Sequence, residues 1–389
     1  MLDSKFWQTK NEITGAGLMA GTSFDGIDVA LVRFSKNKLD LLYFSTSPFS
    51  QRINKYLTEL RDNPTINLEI LTRLHWSLGE EFAGVVQNAM QETNVQVDFI
   101  GSHGQTVYHT PEFNHSNSLP HGGTLQLGEA GVIAEKTGIL TVSEFRHADM
   151  AAGGEGAPLI PFFDQKYFSH PQNDRILLNI GGIANFTIVP STGDNKKIIA
   201  YDTGPGNMII DYLCEHFFSC PYDKNGNIAK NGTVNSSLLH ELLNEPFFAQ
   251  PGPKSTGREK FGAHYSEKLI SEAQSKVINA TDLLATATAL TSKTIAQAIQ
   301  REIDPTRNVE IFVSGGGWHN KTLIAMLQAD LKTKKVYDFS NLGISGDAKE
   351  AVGFAALGLA CLRGEPANFP EVTGARRKVI LGKISWPGR

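Results

Sequence analysis

Near the N-terminus, the run Gly17-Leu-Met-Ala-Gly-Thr-Ser-Phe-Asp-Gly-Ile-Asp-Val-Ala-Leu-Val-Arg-Phe34 gathers glycine, two hydroxyl residues and two acids around one tight turn. The residues from Ile27 to Phe34 are rich in β-branched types and predict a strand, and Asp25-Gly26 is a hairpin-type turn signal. A turn tipped by Gly21, Thr22 and Ser23 offers backbone N–H groups and hydroxyls together. Such a concavity suits phosphate oxygens, because aligned N–H dipoles stabilise negative charge. The same residues also describe an ordinary hairpin with a polar tip, in which Asp28 caps the turn.

A second chemical candidate is Asp202. It ends the β-type run from Ile198 to Tyr201 and precedes Thr203-Gly-Pro-Gly, a loop that can leave a carboxylate exposed to take a proton from an attacking water. The alternative is an Asp that caps a helix starting near Asn207. Gly315 to Gly317 follow a predicted strand, Val309 to Ser314, and could let the backbone approach an adenine or ribose, or simply form a tight turn. Pro253-Lys-Ser-Thr-Gly-Arg258 carries two cations, of which Lys254 could meet phosphate or merely face solvent. Glu350 falls in the first turn of a helix that Asp347 is expected to cap. There it could order nucleotide or water, or complement the helix dipole.

Two other patterns lead away from chemistry. Gly15-Ala-Gly17-Leu-Met-Ala20 satisfies a dinucleotide fingerprint in letters, yet a turn and a β-type run follow where that fingerprint needs a helix. His103, His109, His115 and His121 recur every six residues, a spacing that puts no pair on one helical face and argues against zinc. No Gly-Lys-Ser or Gly-Lys-Thr occurs, so there is no Walker A loop.

These candidates need elements to hold them. A length of 389 residues predicts two domains. A formal net charge of −4 argues against nucleic acid or anionic lipid as the main partner. Met1 to Glu12 has no apolar core of a signal peptide, and Ala351 to Leu362 is too short to span a membrane. Three cysteines, Cys214, Cys220 and Cys361, form no paired framework, which fits a reduced cytoplasmic compartment. Arg52 to Thr93 reads as helical with a break at Asn63-Pro64, and Leu68, Leu71, Leu74, Leu78, Phe82 and Val85 predict one buried face. Strands are predicted at Val97–Gly101 and Gly138–Val142. Ile176 to Val189 reads as strand, Gly-Gly turn and strand, formally like the first hairpin, and a helix is predicted from Asp282 to about Ile303. Two halves that each open on a glycine-tipped hairpin suggest a structural duplication around a cleft. The boundary is expected near Pro171, giving domains 1–170 and 171–389.

The combination of Gly21-Thr-Ser-x-Asp-Gly26, Asn179-Ile-Gly-Gly182, Asp202-x-Gly204 and Ser314-Gly-Gly-Gly317 resembles the superfamily of sugar kinases, heat-shock chaperones and actin. Within it the chain resembles the anhydro-N-acetylmuramic acid kinase family. The segments GLMAGTSFDGID, SHGQTVYHTP, AAGGEGAPLIP, LNIGGIANFT, DTGPGN, GPKSTGRE, SGGG and PEVTGA occur in family order from Gly17 to Ala375. Two places depart from the pattern: Ala20, where serine is expected, and Arg146-His-Ala-Asp149, where the family is richer in arginine.

The resemblance implies an α/β, two-domain actin-like ATPase (ribonuclease H-like) fold with its active site in the interdomain cleft. It implies transfer of the ATP γ-phosphate to the 6-oxygen of 1,6-anhydro-N-acetylmuramic acid while water opens the anhydro bridge, in peptidoglycan recycling. It assigns Asp202 and Glu350 to catalysis. Nucleotide contacts are assigned to Gly21, Thr22, Ser23, Phe24, Asp25, Gly26, Ile27 and Asp28 in the first hairpin. Further nucleotide contacts are Gly181, Gly182, Asn185, Gly204, Gly315, Gly316 and Gly317. Sugar contacts are assigned to Asp25, His103, Gly104, Gln105, Thr106, Gly154 and Asp202. ATP and Mg²⁺ are implied, with Asp25 and Asp28 both open as reaching the metal or the sugar, and a homodimer is expected. Another carbohydrate kinase or a non-kinase ATPase of the same superfamily is the competing function, and a dinucleotide oxidoreductase would follow from the Gly15–Ala20 pattern.

Overall fold

The computed structural model describes residues 4–388 apart from 22, 23, 25, 37, 64, 112–118, 120, 195, 333 and 334. The strands are β1 (Glu12–Ala20), β2 (Ile27–Ser35), β3 (Lys38–Ser47), β4 (Phe99–Thr110), β5 (Gly123–Leu127), β6 (Thr141–Ser143), β7 (Asp174–Ile180), β8 (Ile183–Val189), β9 (Ile199–Pro205), β10 (Val309–Ser314), β11 (Val336–Asp338) and β12 (Lys383–Ser385). They build two compact α/β units, one from Met1–Tyr167 with Ala348–Arg389 and one from Phe168–Asp347.

In the first unit the strand order is β12-β6-β4-β1-β2-β3, with β5 added to β4. β1, β2 and β3 form an antiparallel meander, while β4 lies parallel to β1 and β6 parallel to β4. The second unit repeats this plan. Its β7, β8 and β9 run antiparallel in turn, and β10 and β11 add in parallel on the other side of β7. A three-strand meander extended by two parallel strands therefore occurs twice, as expected for the actin-like architecture.

The helix Leu68–Thr93 buries Leu74, Leu78, Phe82 and Val86 against the first sheet's core. Asn67 caps it by accepting the Glu69 N–H, and Asn94 ends it at φ 53°. Leu68 departs from the expected apolar face. It sits at the helix start with 76% of its surface exposed.

The sequence-based boundary is corrected in two respects. The second unit begins at Phe168 rather than 171, and it ends at Asp347, so residues 348–389 return to the first unit. The reason is the helix Lys349–Arg363, nearly all of whose residues are buried. It lies so close on the first sheet that a Cβ at Gly17 would land on the carbonyl oxygen of Ala351, and one at Gly101 on that of Phe354. Gly15 likewise faces the Phe99 ring. The glycines of the dinucleotide-like pattern therefore sit inside β1 and serve helix and ring packing. Ala348, not Asp347, occupies the cap position of this helix, and no side-chain cap bond is made. Among the described residues, no helix is long and apolar enough to cross a membrane.

Candidate active site

In the second unit, strand register assembles a polar row. Ser314 on β10 pairs with Asn179 on β7, Asn179 with Asn185 on β8, and Asn185 with Asp202 on β9. Directly opposed residues share a sheet face, so four strands present Ser314, Asn179, Asn185 and Asp202 side by side. The Ser314 Oγ lies 3.3 Å from the Asn179 Oδ1. The row is flanked by the Gly181-Gly182 turn between β7 and β8. Here a Cβ at Gly181 would meet nothing within 3.5 Å and one at Gly182 only the Met208 methyl at 3.3 Å. Carbonyls of this turn accept the N–H groups of Gly206, Asn207 and Met208, which fixes it to the start of the helix Met208–Phe218.

Asp202 does not end its strand, because β9 continues through Pro205. Instead a bulge at Thr203 follows it, since Gly204 pairs with Ala184 and Asp202 with Asn185. Bulges re-aim side chains beside sites. Gly204 has φ 142°, and a Cβ there would meet the Phe248 ring at 2.7 Å. Asp202 caps no helix. Its carboxylate accepts the Thr256 N–H at 2.9 Å, and its own N–H donates to the Lys254 carbonyl at 3.1 Å. Burial pushes the carboxyl up to about 6, with Glu259 adding to the rise and the Thr256 N–H and Lys254 opposing it.

Lys254, which the sequence left open between phosphate and solvent, is engaged within the protein. Its ammonium donates to the Phe247 carbonyl at 2.7 Å and stands 4.4 Å from the centre of the Phe247 ring. The three glycines after β10 divide by cause. Gly315 adopts φ 81°, and a Cβ at Gly317 would strike the Ile180 side chain. A Cβ at Gly316 would meet only the Asn207 amide nitrogen, at 3.6 Å, which leaves its backbone approachable.

In the first unit, Thr22, Ser23 and Asp25 lie outside the described residues. Of the rest of that turn, Gly21 accepts the Gln105 amide N–H at 3.0 Å, and Phe24 adopts φ 61°. A Cβ at Gly26 would meet the Ser47 carbonyl oxygen at 2.5 Å. Ile27 is a core residue, so only its backbone can face a ligand. Asp28 accepts the Thr46 hydroxyl at 2.5 Å.

The expected sugar-binding segment on β4 is largely committed to the protein itself. His103 Nδ1 is 2.8 Å from the Gly104 carbonyl, and its Nε2 takes N–H groups of Arg146 at 2.8 and 3.1 Å. That pattern makes it neutral with the proton on Nδ1, and burial followed by the Arg146 charge holds it well below the usual histidine range. Both ring nitrogens are engaged within the protein, Nδ1 by the Gly104 carbonyl and Nε2 by Arg146. Gln105 is buried and ties down the Gly21 turn. The Thr106 hydroxyl accepts from Gln126 at 3.2 Å. Gly104 adopts φ 75° against the Leu127 carbonyl, and Gly154 has no room for a Cβ because the Asp149 carboxylate occupies that place. Asp149 is buried and joins Gly156, Asn368 and Thr373, which explains the AAGGEG and PEVTGA segments as one structural junction.

Glu350, at the head of its helix, stays open to solvent although protein surrounds it. Burial raises its carboxyl, Lys349 and Arg146 pull it down, and Asp28 pushes it up. Solvent access limits that rise. Arg146 is pushed down to about 10 by burial, with Glu350 opposing, and remains a cation at neutral pH. His109 is on the β4–β5 ladder beside the Thr124 hydroxyl at 3.0 Å, and His115 is outside the described residues. Among the described residues, no three His, Cys, Asp or Glu side chains group as metal ligands.

With this geometry in place, similarity to known proteins becomes informative. A family model described as anhydro-N-acetylmuramic acid kinase matches residues 14–387. The chain belongs to the anhydro-N-acetylmuramic acid kinase family. A member from Bacillus cereus is 41% identical over 382 residues, covering 96% of this chain and 99% of that protein. One from Caldanaerobacter subterraneus subsp. tengcongensis is 41% identical over 386 residues, covering 97% and 98%. Within this member of the kinase family, sequence reasoning missed Arg146, Asn179, Ser314 and Thr256 as site residues. Asn179 and Ser314 open the quoted NIGG and SGGG segments, so their motifs were visible while their alignment with Asp202 was not.

Proposed function

We infer that the chain is an ATP-dependent kinase that phosphorylates the 6-oxygen of 1,6-anhydro-N-acetylmuramic acid with hydrolytic opening of the anhydro ring. The observation that carries the chemistry is Asp202, a half-buried carboxylate raised to about 6 and set beside a strand bulge. A base with that affinity is mostly ionised at neutral pH yet still able to hold a proton. Asp202 takes a proton from water as the water oxygen bonds to the anomeric carbon. The bond from that carbon to the bridging 6-oxygen breaks, the 6-oxygen bonds to the γ-phosphorus, and ADP leaves. The products are N-acetylmuramic acid 6-phosphate, ADP and one proton.

The two hairpins supply the phosphate contacts, with backbone at Gly21, Phe24 and Gly26 in the first and at Gly181 and Gly182 in the second. Gly181 fits this role, and Gly316 fits the approach of adenine or ribose, because a Cβ at either would meet nothing within 3.5 Å. Asn185 and Gly204 orient the row that carries Asp202. Mg²⁺ would neutralise charge on the triphosphate, with Asp25 or Asp28 as the carboxylate to reach it. Glu350, whose charged form is favoured by Lys349 and then by Arg146, orders water or nucleotide.

The proposed setting is the cytoplasm, consistent with three free cysteines. A homodimer is proposed as well; sedimentation analysis reads the oligomeric state directly. The decisive test of the reaction is coupled ADP release with the anhydro sugar against glucose and N-acetylglucosamine. Turnover confined to the anhydro sugar is expected. Comparable phosphorylation of ordinary hexoses with none of the anhydro sugar would make the chain a different carbohydrate kinase.

A further inference from the structure

We propose that Lys254 is a positioning residue for Asp202, its ammonium clamping residues 253–256 so that backbone groups on both sides of it hold the carboxylate. This rests on the assignment of Asp202 as the base. The strap touches Asp202 twice: the Lys254 carbonyl takes the Asp202 N–H, and the Thr256 N–H reaches the carboxylate. Nothing in the sequence around Lys254 requires a cation for a loop of this kind. The structure supplies the reason, because the ammonium bonds the Phe247 carbonyl at 2.7 Å and the Phe248 carbonyl at 3.5 Å. Those carbonyls lie in the short helix Pro246–Ala249, whose Phe248 ring packs on Gly204 directly beyond the bulge.

The clamp is built on several elements. The Tyr201 ring on β9 and the Phe247 ring lie 5.7 and 4.4 Å from the Lys254 nitrogen, a cation–π arrangement that favours the charged form. Arg301, at the end of the helix Ala280–Glu302, donates to the carbonyls of Gln250 and Phe248 and fixes the same segment from the other side. Glu302 accepts the Tyr201 hydroxyl at 2.8 Å. The charged groups facing Lys254 are therefore Arg301, Asp202 and Glu302, and those facing Asp202 are Lys254 and Glu259.

Burial, with Arg301 adding to it, brings the Lys254 ammonium down to about 8, against the pull of Asp202 and Glu302. Loss of that proton turns the charge-assisted bond to the Phe247 carbonyl into a weaker neutral one and removes the positive charge near Asp202. A geometric clamp thus carries a pH signature that simple loop packing lacks.

The test compares Lys254→Met and Lys254→Arg with the wild type, reading kcat and KM across pH. It also follows the Asp202 carboxyl by ¹³C NMR of Asp-labelled protein, assigned through its loss in Asp202→Asn. In the wild type, kcat is expected to rise through about pH 6 and fall through about pH 8. Lys254→Met should lower kcat about tenfold or more, a scale set by misplacing one reacting group. KM for ATP should stay within about twofold, and the Asp202 titration should move upward. Lys254→Arg keeps a cation that does not deprotonate in this range, so its falling limb should disappear. A folded Lys254→Met protein with unchanged kcat and an unmoved Asp202 titration overturns the proposal. If Lys254→Met does not fold, a Lys254→Arg protein that retains the wild-type falling limb overturns it instead. An Asp202 titration that moves, in an enzyme whose Asp202→Asn variant is still active, would refute the base assignment while leaving the positioning role standing.

Discussion

Asp202→Asn separates activity from stability in opposite directions. The amide oxygen can still accept the Thr256 N–H, so the strap contact at 2.9 Å is retained in kind. What disappears is the proton acceptor, and loss of a general base costs about 10²–10⁴ in rate. Turnover at pH 7.5 should therefore fall at least about 10²-fold, with ATP binding nearly unchanged because the glycine turns are separate groups. Stability should move the other way. Folding raises this carboxyl from 3.8 to about 6, chiefly by burial, so the folded protein binds the proton more tightly than the unfolded chain does. The resulting destabilisation is absent below the unfolded value, grows as pH climbs from 3.8 toward 6, and is complete above that. At 1.36 kcal/mol per tenfold change in proton affinity it amounts to roughly 3 kcal/mol, and residual solvent access reduces it to about 1–3 kcal/mol. Removing the charge should raise Tm by several degrees at pH 7.5 and by little at pH 4. Steady-state ADP release and calorimetry at the two pH values check both halves. Turnover within a few-fold of wild type in a folded protein would refute Asp202 as base and move that role to Asp25 or Glu350. A Tm that drops at pH 7.5 would refute burial as the cause of the raised carboxyl.

Further outcomes follow from the first unit. Gly17→Ala should destabilise the protein by about 1–3 kcal/mol, the range for overpacking, because its Cβ collides with the Ala351 carbonyl; chemical denaturation measures it, and wild-type stability would mean the helix Lys349–Arg363 is not seated on β1. Arg146→Met should cost about 1.5–3 kcal/mol, since His103 Nε2 and the Gly156 carbonyl lose a charged donor. The same change removes one of the two cations that lower Glu350, leaving Lys349, so any limb of the pH–rate profile that belongs to Glu350 should move upward.

The sequence by itself determined the local elements and the family. The Gly-Gly turn between two β-type runs is the β7–β8 hairpin, Val309–Ser314 is strand β10 to the residue, and Leu74, Leu78 and Phe82 mark a truly buried helix face. These features are written in neighbouring residues, through alternation, helical spacing and turn chemistry, so no distant partner is needed to read them. The order of eight short segments over the chain likewise carries the family, because order is a property of sequence. Tertiary structure decided what those segments do. Gly17 and Gly154 are glycines because Ala351 and the Asp149 carboxylate, far away in sequence or turned back on the loop, take the space of a side chain. His103 was legible as a polar residue in a strand, yet only the arrival of Arg146 and the Gly104 carbonyl consumes both its nitrogens. The return of residues 348–389 to the first unit was invisible for the same reason: an apolar helix does not encode which sheet it covers. The proton affinity of Asp202 is the clearest case. Its type and position are in the sequence, but a carboxyl rises only when burial outweighs the N–H and cation that oppose it, and that balance exists only after β9 and residues 253–256 have folded against each other.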